Sequence, residues 1–106
     1  MDLRPAASNL GLELDEFMEI VKLFVDTAAE DIEKLQVACK NQDAEQVKRV
    51  AHALKGSSGN LGFMEFSEIA RKAEQSAHGS AFQPVAAAIP ELQRHLENIR
   101  QGLAGE

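Results

Sequence analysis

The 106 residues carry 11 Lys or Arg against 17 Asp or Glu, a net charge of −6, with a single cysteine and no tryptophan. Cys39 alone rules out a disulfide framework and a zinc ribbon, and no apolar run approaches the ~18 residues of a membrane span. The acidic balance argues against a general nucleic-acid binder, and the N-terminus MDLRPAASNL lacks the basic and apolar regions of a signal peptide. A single cytoplasmic domain over residues 1–106 is the expectation.

Composition favours helix, with 16 Ala and 11 Leu against 12 β-branched residues. Residues 1–12 are expected to add a short helix closing one end of the molecule. A first long helix is predicted to open at Asp15 as N-cap, with Glu16 and Glu19 at the positive end of its dipole. Its apolar stripe reads Phe17, Ile20, Val21, Phe24, Ala28, Ile32, Leu35 and Cys39, and it should stop near Lys40 and Asn41. A second helix opens at Asp43 and places Val47, Val50, Ala51, Leu54, Ser58 and Leu61 on one side. The third follows Gly62, turns Phe63, Phe66, Ile69, Ala70, Ala73 and Ala77 inward, and ends at His78 and Gly79. The fourth begins near Pro84 and carries Val85, Ile89, Leu92, Leu96, Ile99 and Leu103, with Pro90 expected to kink it or mark its true start. Four amphipathic helices with short links predict an all-α, antiparallel four-helix bundle, expected to be a monomer.

The informative stretch is AHALKGSSGNLGF, residues 51–63. On a wheel of ~100° per residue, His52 lies about 140° from Val47, outside the apolar stripe. Lys48, Lys55, Gly56 and Gly59 fall at roughly 100, 80, 180 and 120° on the same outer side. Glycine in a helix interior costs ~1 kcal/mol relative to Ala, so Gly56 and Gly59 weaken the helix beside an exposed imidazole. What they provide is space for another surface to approach. Lys55, three residues after His52, brings a flexible cation within reach of anything negative attached to the ring. An accessible ring nitrogen with an adjacent ammonium suits a phosphoryl acceptor. A solvated surface histidine, and a helix ending at Gly59 or Asn60 as a left-handed cap, fit the same spacing.

The segment resembles the signature of histidine-containing phosphotransfer (HPt) domains, roughly HxLKGSSxxLG. His52, Leu54, Lys55, Gly56, Ser57, Ser58, Leu61 and Gly62 match every fixed position. The resemblance implies a four-helix bundle without kinase activity, whose histidine carries phosphate on its outward nitrogen between two receiver domains. It makes His52 the expected phosphorylation site, Lys55 its charge partner and Gly56 the residue that opens access. In that family a Gln or Glu placed 22 residues after the histidine orients the imidazole, and Glu74 stands at that offset here. Where some members have a basic residue four positions later, this chain has His78.

The charge is uneven along the chain. Residues 1–46 hold 11 acids and 4 bases, while residues 47–72 hold 2 acids and 5 bases. Lys48, Arg49, Gly59 and the off-stripe Met64 are therefore expected to form a docking face for acidic receiver pockets. The expected partners are response-regulator receiver domains and a hybrid sensor kinase. No bound cofactor is expected, the Mg²⁺ for transfer belonging to the receiver. His52, His78 and His95 do not share metal-ligand spacing, so no metal site is expected. Two alternatives remain. Gly59 and Phe63 also fit the phosphorylatable domain of a chemotaxis-type histidine kinase, and the glycine-opened face would equally serve a non-phosphorylated helical adaptor.

Overall fold

A computed structural model describes residues 1–105, among which there are five helices and no strand. They are α1 (Arg4–Asn9), α2 (Leu14–Lys40), α3 (Ala44–Asn60), α4 (Met64–His78) and α5 (Phe82–Gly105). Helices α2 to α5 form an antiparallel four-helix bundle in which chain neighbours pack together and α5 closes the ring on α2. None of the described helices is long and apolar enough to cross a membrane.

The links 41–43, 61–63 and 79–81 share one device, which sets where each long helix stops. Two amides turn back onto the last turn: Phe63 N–H donates to Ser58 O at 3.0 Å and Gly62 N–H to Gly59 O at 3.0 Å. Asp43 and Gln42 do the same to Ala38 and Cys39, and Ala81 and Ser80 to Ser76 and Ala77. The residue between must turn left-handed, and Gln42 (φ 54°), Gly62 (φ 85°) and Ser80 (φ 54°) do so. Helix α3 therefore runs through Gly59 and Asn60, and Gly62 takes the left-handed position the sequence had offered to those two.

Helix starts depart from expectation in two places. α2 begins before Asp15: the Glu13 amide donates to Glu16 Oε1 at 3.0 Å, which makes Glu13 the N-cap. α5 begins at Phe82, and Pro90 lies inside it on an exposed position rather than at its start. There the proline has no amide for the Ala86 carbonyl to accept from. Asp43 caps α3 as expected, accepting from Gln46 N–H at 3.2 Å.

The core runs the length of the bundle, and at one end Phe24 meets Phe63 at 5.6 Å and Phe66 edge-on at 5.5 Å between ring centroids. Ile20, expected inside, is 41% exposed, while Val25 and Ala38 are buried. Between α3 and α4 the contact is close because Ala70, Ala73 and Ala77 are the buried residues of α4 beyond Phe66. The short helix α1 closes the phenylalanine end by burying Leu3 and Ala7.

Candidate functional site

His52 projects from the solvent side of α3 with 68% of its side chain exposed, and α4 supplies what holds it. Glu74 is about three turns along an antiparallel neighbour, so the offset of 22 residues becomes a contact of 2.8 Å between Nδ1 and Glu74 Oε2. The other oxygen, Oε1, accepts from Lys55 Nζ at 2.8 Å. One carboxylate thus joins the imidazole and the ammonium. Glu74 is only 17% exposed, and burial pushes its carboxyl up. The hydrogen bonds from Lys55 and His52, with their charges, outweigh that and hold it below the ordinary value of 4.5. It is a carboxylate at neutral pH. A carboxylate only accepts, so in the neutral ring Nδ1 carries the proton and Nε2, on the far side, holds the lone pair.

The remaining residues of the stretch divide by role. Gly56 is exposed, and a Cβ built on it would meet nothing within 4 Å. Gly59 differs: a Cβ there would lie 3.3 Å from Ser67 Oγ, so this glycine belongs to the seam with α4 and not to the open face beside the ring. Ser67 Oγ donates to Lys55 O at 2.9 Å across the same seam. Buried Ser58 returns its hydroxyl to Leu54 O at 2.6 Å, which satisfies it without any partner outside α3. Lys48 holds Glu45 at 2.6 Å and Arg49 donates to Gln46 Oε1 at 3.1 Å. Met64 is 66% exposed at the start of α4.

A family model for the Hpt domain matches residues 19–103. The chain belongs to the Hpt domain family. The crystal structure of histidine-containing phosphotransfer protein B (HptB) from Pseudomonas aeruginosa PAO1 is similar with a TM-score of 0.85 and 26% identity, over 96% of this chain and 89% of that one. The sensor protein TorS of Escherichia coli (strain K12) is 32% identical over 88 residues, which are 83% of this chain and 9% of TorS. As an Hpt domain the chain is a phosphotransfer intermediate of two-component phosphorelays; Hpt domains are carriers, not kinases.

Two features of this Hpt domain escaped the sequence. The pairing of Lys55 with Glu74 joins residues 19 apart, and helical periodicity within either element says nothing about it. The second is an apolar groove of about 340 Å³ between α2 and α3, lined by Ile20, Leu23, Phe24, Thr27, Ser57 and Leu61 among others. Leu23 is 70% exposed there. Its signal was present, since Leu23 falls off the core stripe of α2 as Met64 does in α4. Among the described residues no three His, Cys, Asp or Glu side chains converge on a possible metal position. Half-buried Cys39 packs against the core, its Sγ donating to Phe82 O at 3.4 Å.

Proposed function

We propose that His52 is the residue that carries the phosphoryl group, accepting it at Nε2 from the aspartyl phosphate of one receiver domain and passing it to the aspartate of another. The observation that supports this most is the bond from His52 Nδ1 to the ionised Glu74, which fixes the proton on the inner nitrogen of an exposed ring. The neutral imidazole is then the nucleophile, with its lone pair outward. Lys55 supplies the nearby cation, and Gly56 leaves the approach to the ring free of side chain. The docking face in this reading comprises Lys48, Arg49 and Met64 with the exposed Ile20 and Leu23; Gly59 is left out of it because of its place in the seam.

In this reading residues 1–106 are one phosphorelay domain, a cytoplasmic monomer that serves receiver domains and a hybrid sensor kinase and has no kinase activity of its own. Mg²⁺ for each transfer is held by the receiver's acidic pocket. The test is to incubate the chain with a phosphorylated receiver domain and Mg²⁺ and to look for acid-labile, base-stable phosphate on it. Label is expected on the unaltered chain and none on His52→Gln. Persistence of label in that variant would sink the assignment, and label from ATP alone would instead indicate a built-in kinase.

A further inference from the structure

We propose that Lys55 and Glu74 form a charge switch worked by the phosphoryl group: Lys55 leaves Glu74 when His52 is phosphorylated, and the released carboxylate keeps the phosphorylated ring protonated and ready to give the group up. This rests on His52 being the phosphorylated residue.

The resting geometry already divides one charge between two claimants. Oε2 of Glu74 accepts from the ring and Oε1 from Lys55, both at 2.8 Å, on a side chain largely withdrawn from water. Lys55 is therefore committed before any phosphate arrives. The neighbouring cations are committed elsewhere: Lys48 to Glu45, Arg71 to Glu68 on α4, and Arg49 to Gln46. His78 stands one helical turn beyond Glu74. Lys55 is the cation that shares a carboxylate with the reacting histidine.

The transfer itself changes the balance. The Nε2 lone pair forms the new N–P bond, the P–O bond to the receiver's aspartate breaks, and its electron pair returns to that carboxylate. No proton leaves, so the ring now holds the Nδ1 proton together with a formal positive charge. A group with close to two negative charges has meanwhile appeared on the outer nitrogen, one turn from Lys55. It outcompetes a single carboxylate for the ammonium. Once Lys55 has moved, Glu74 faces the imidazolium alone and retains its proton, as the buried aspartate does for the imidazolium of a Ser-His-Asp triad. On the way out an aspartate oxygen of the next receiver attacks phosphorus and forms the new O–P bond, while the N–P bond breaks and its electron pair returns to Nε2. The leaving group is then a neutral imidazole, where a deprotonated ring would have to leave as an anion. Lys55 swings back to Glu74, and the cycle closes with atoms and charge conserved.

The experiment uses the full chain labelled with ¹⁵N and phosphorylated either by a receiver domain or chemically with phosphoramidate. Ring and ammonium nitrogens are observed by NMR at neutral pH. Phosphorylation is expected to move the Lys55 Nζ resonance while Nδ1 remains protonated. In Glu74→Gln an acceptor oxygen is retained, yet the phosphorylated ring should lose its Nδ1 proton and pass phosphate to a receiver roughly tenfold more slowly. In Lys55→Met the ring should keep its proton when phosphorylated, because the carboxylate is undivided. A Lys55 resonance that stays in place on phosphorylation of His52, a Glu74→Gln ring that keeps its proton, or a Lys55→Met ring that loses it would each overturn the switch alone. Phosphate found on another residue would overturn the assignment of His52 as well.

Discussion

Gly56 shows how a single residue can serve a partner at the expense of its own fold. It sits in the interior of α3, where glycine costs ~1 kcal/mol relative to Ala, yet the space its missing Cβ would occupy is open. Nothing inside the molecule requires it. Gly56→Ala should therefore raise the stability of the isolated domain by up to about 1 kcal/mol, read as a higher urea midpoint. Transfer from a receiver should slow in the same variant, because the added methyl stands where the approaching surface must pass. Faster or unchanged transfer would show that access is not what this glycine provides. Glu74 differs from Gly56 in being used entirely within the molecule, each carboxylate oxygen taking one donor.

At the scale of elements, the three links use the same pair of backbone hydrogen bonds but only one uses glycine. Gln42 holds φ at 54°, a conformation that costs a residue with a Cβ about 1–2 kcal/mol. Gln42→Gly should remove most of that cost, offset by the greater freedom of glycine in the unfolded chain, for a net gain of up to about 1 kcal/mol. Equilibrium urea unfolding would measure it, and a loss of stability would contradict the turn geometry. These links also explain how far the sequence could be read. The spacing of apolar residues gave every helix of the bundle, because burial of one face is a local property that recurs every few residues. Helix ends were less legible: Glu13 displaced Asp15 as cap because Glu16 reaches back to its amide, a choice decided by side-chain reach rather than residue type. Ile20 obeyed the core spacing and still lies open at the groove beside α3, since a stripe says which side is apolar but not how wide the neighbour that covers it is. Within the site, the contact between His52 and Glu74 was legible through resemblance alone. The clasp of Lys55 on that same carboxylate depends on how α3 and α4 pair, which no single helix records.

Over the whole molecule, a net charge of −6 conceals a division. Residues 1–46, mostly α2, hold the surplus acid, while residues 47–72, spanning most of α3 and the first half of α4, are net basic. A partner with an acidic pocket would be repelled by one flank and drawn to the other, which orients the encounter before contact. Reversing the charge of Lys48 and Arg49 together should slow association with a receiver by about tenfold at low salt, with the difference shrinking as ionic strength rises through the range where screening reaches ~10 Å. Stopped-flow association rates at several salt concentrations would test this, and a salt-independent difference would assign the effect to lost contacts. The way α1 closes the bundle bears on the molecule's attachments. A Cβ on Gly102 would lie 2.7 Å from the Met1 carbonyl, so the first residue rests against the last turns of α5. Met1 and the last turns of α5 meet at one pole, beside the link that joins α3 to α4 and about 13 Å along the axis from His52. A tether fastened at either end would hang the domain by that pole, like a lamp on its cord, with the flank that bears the histidine left free to swing toward one receiver and then the next.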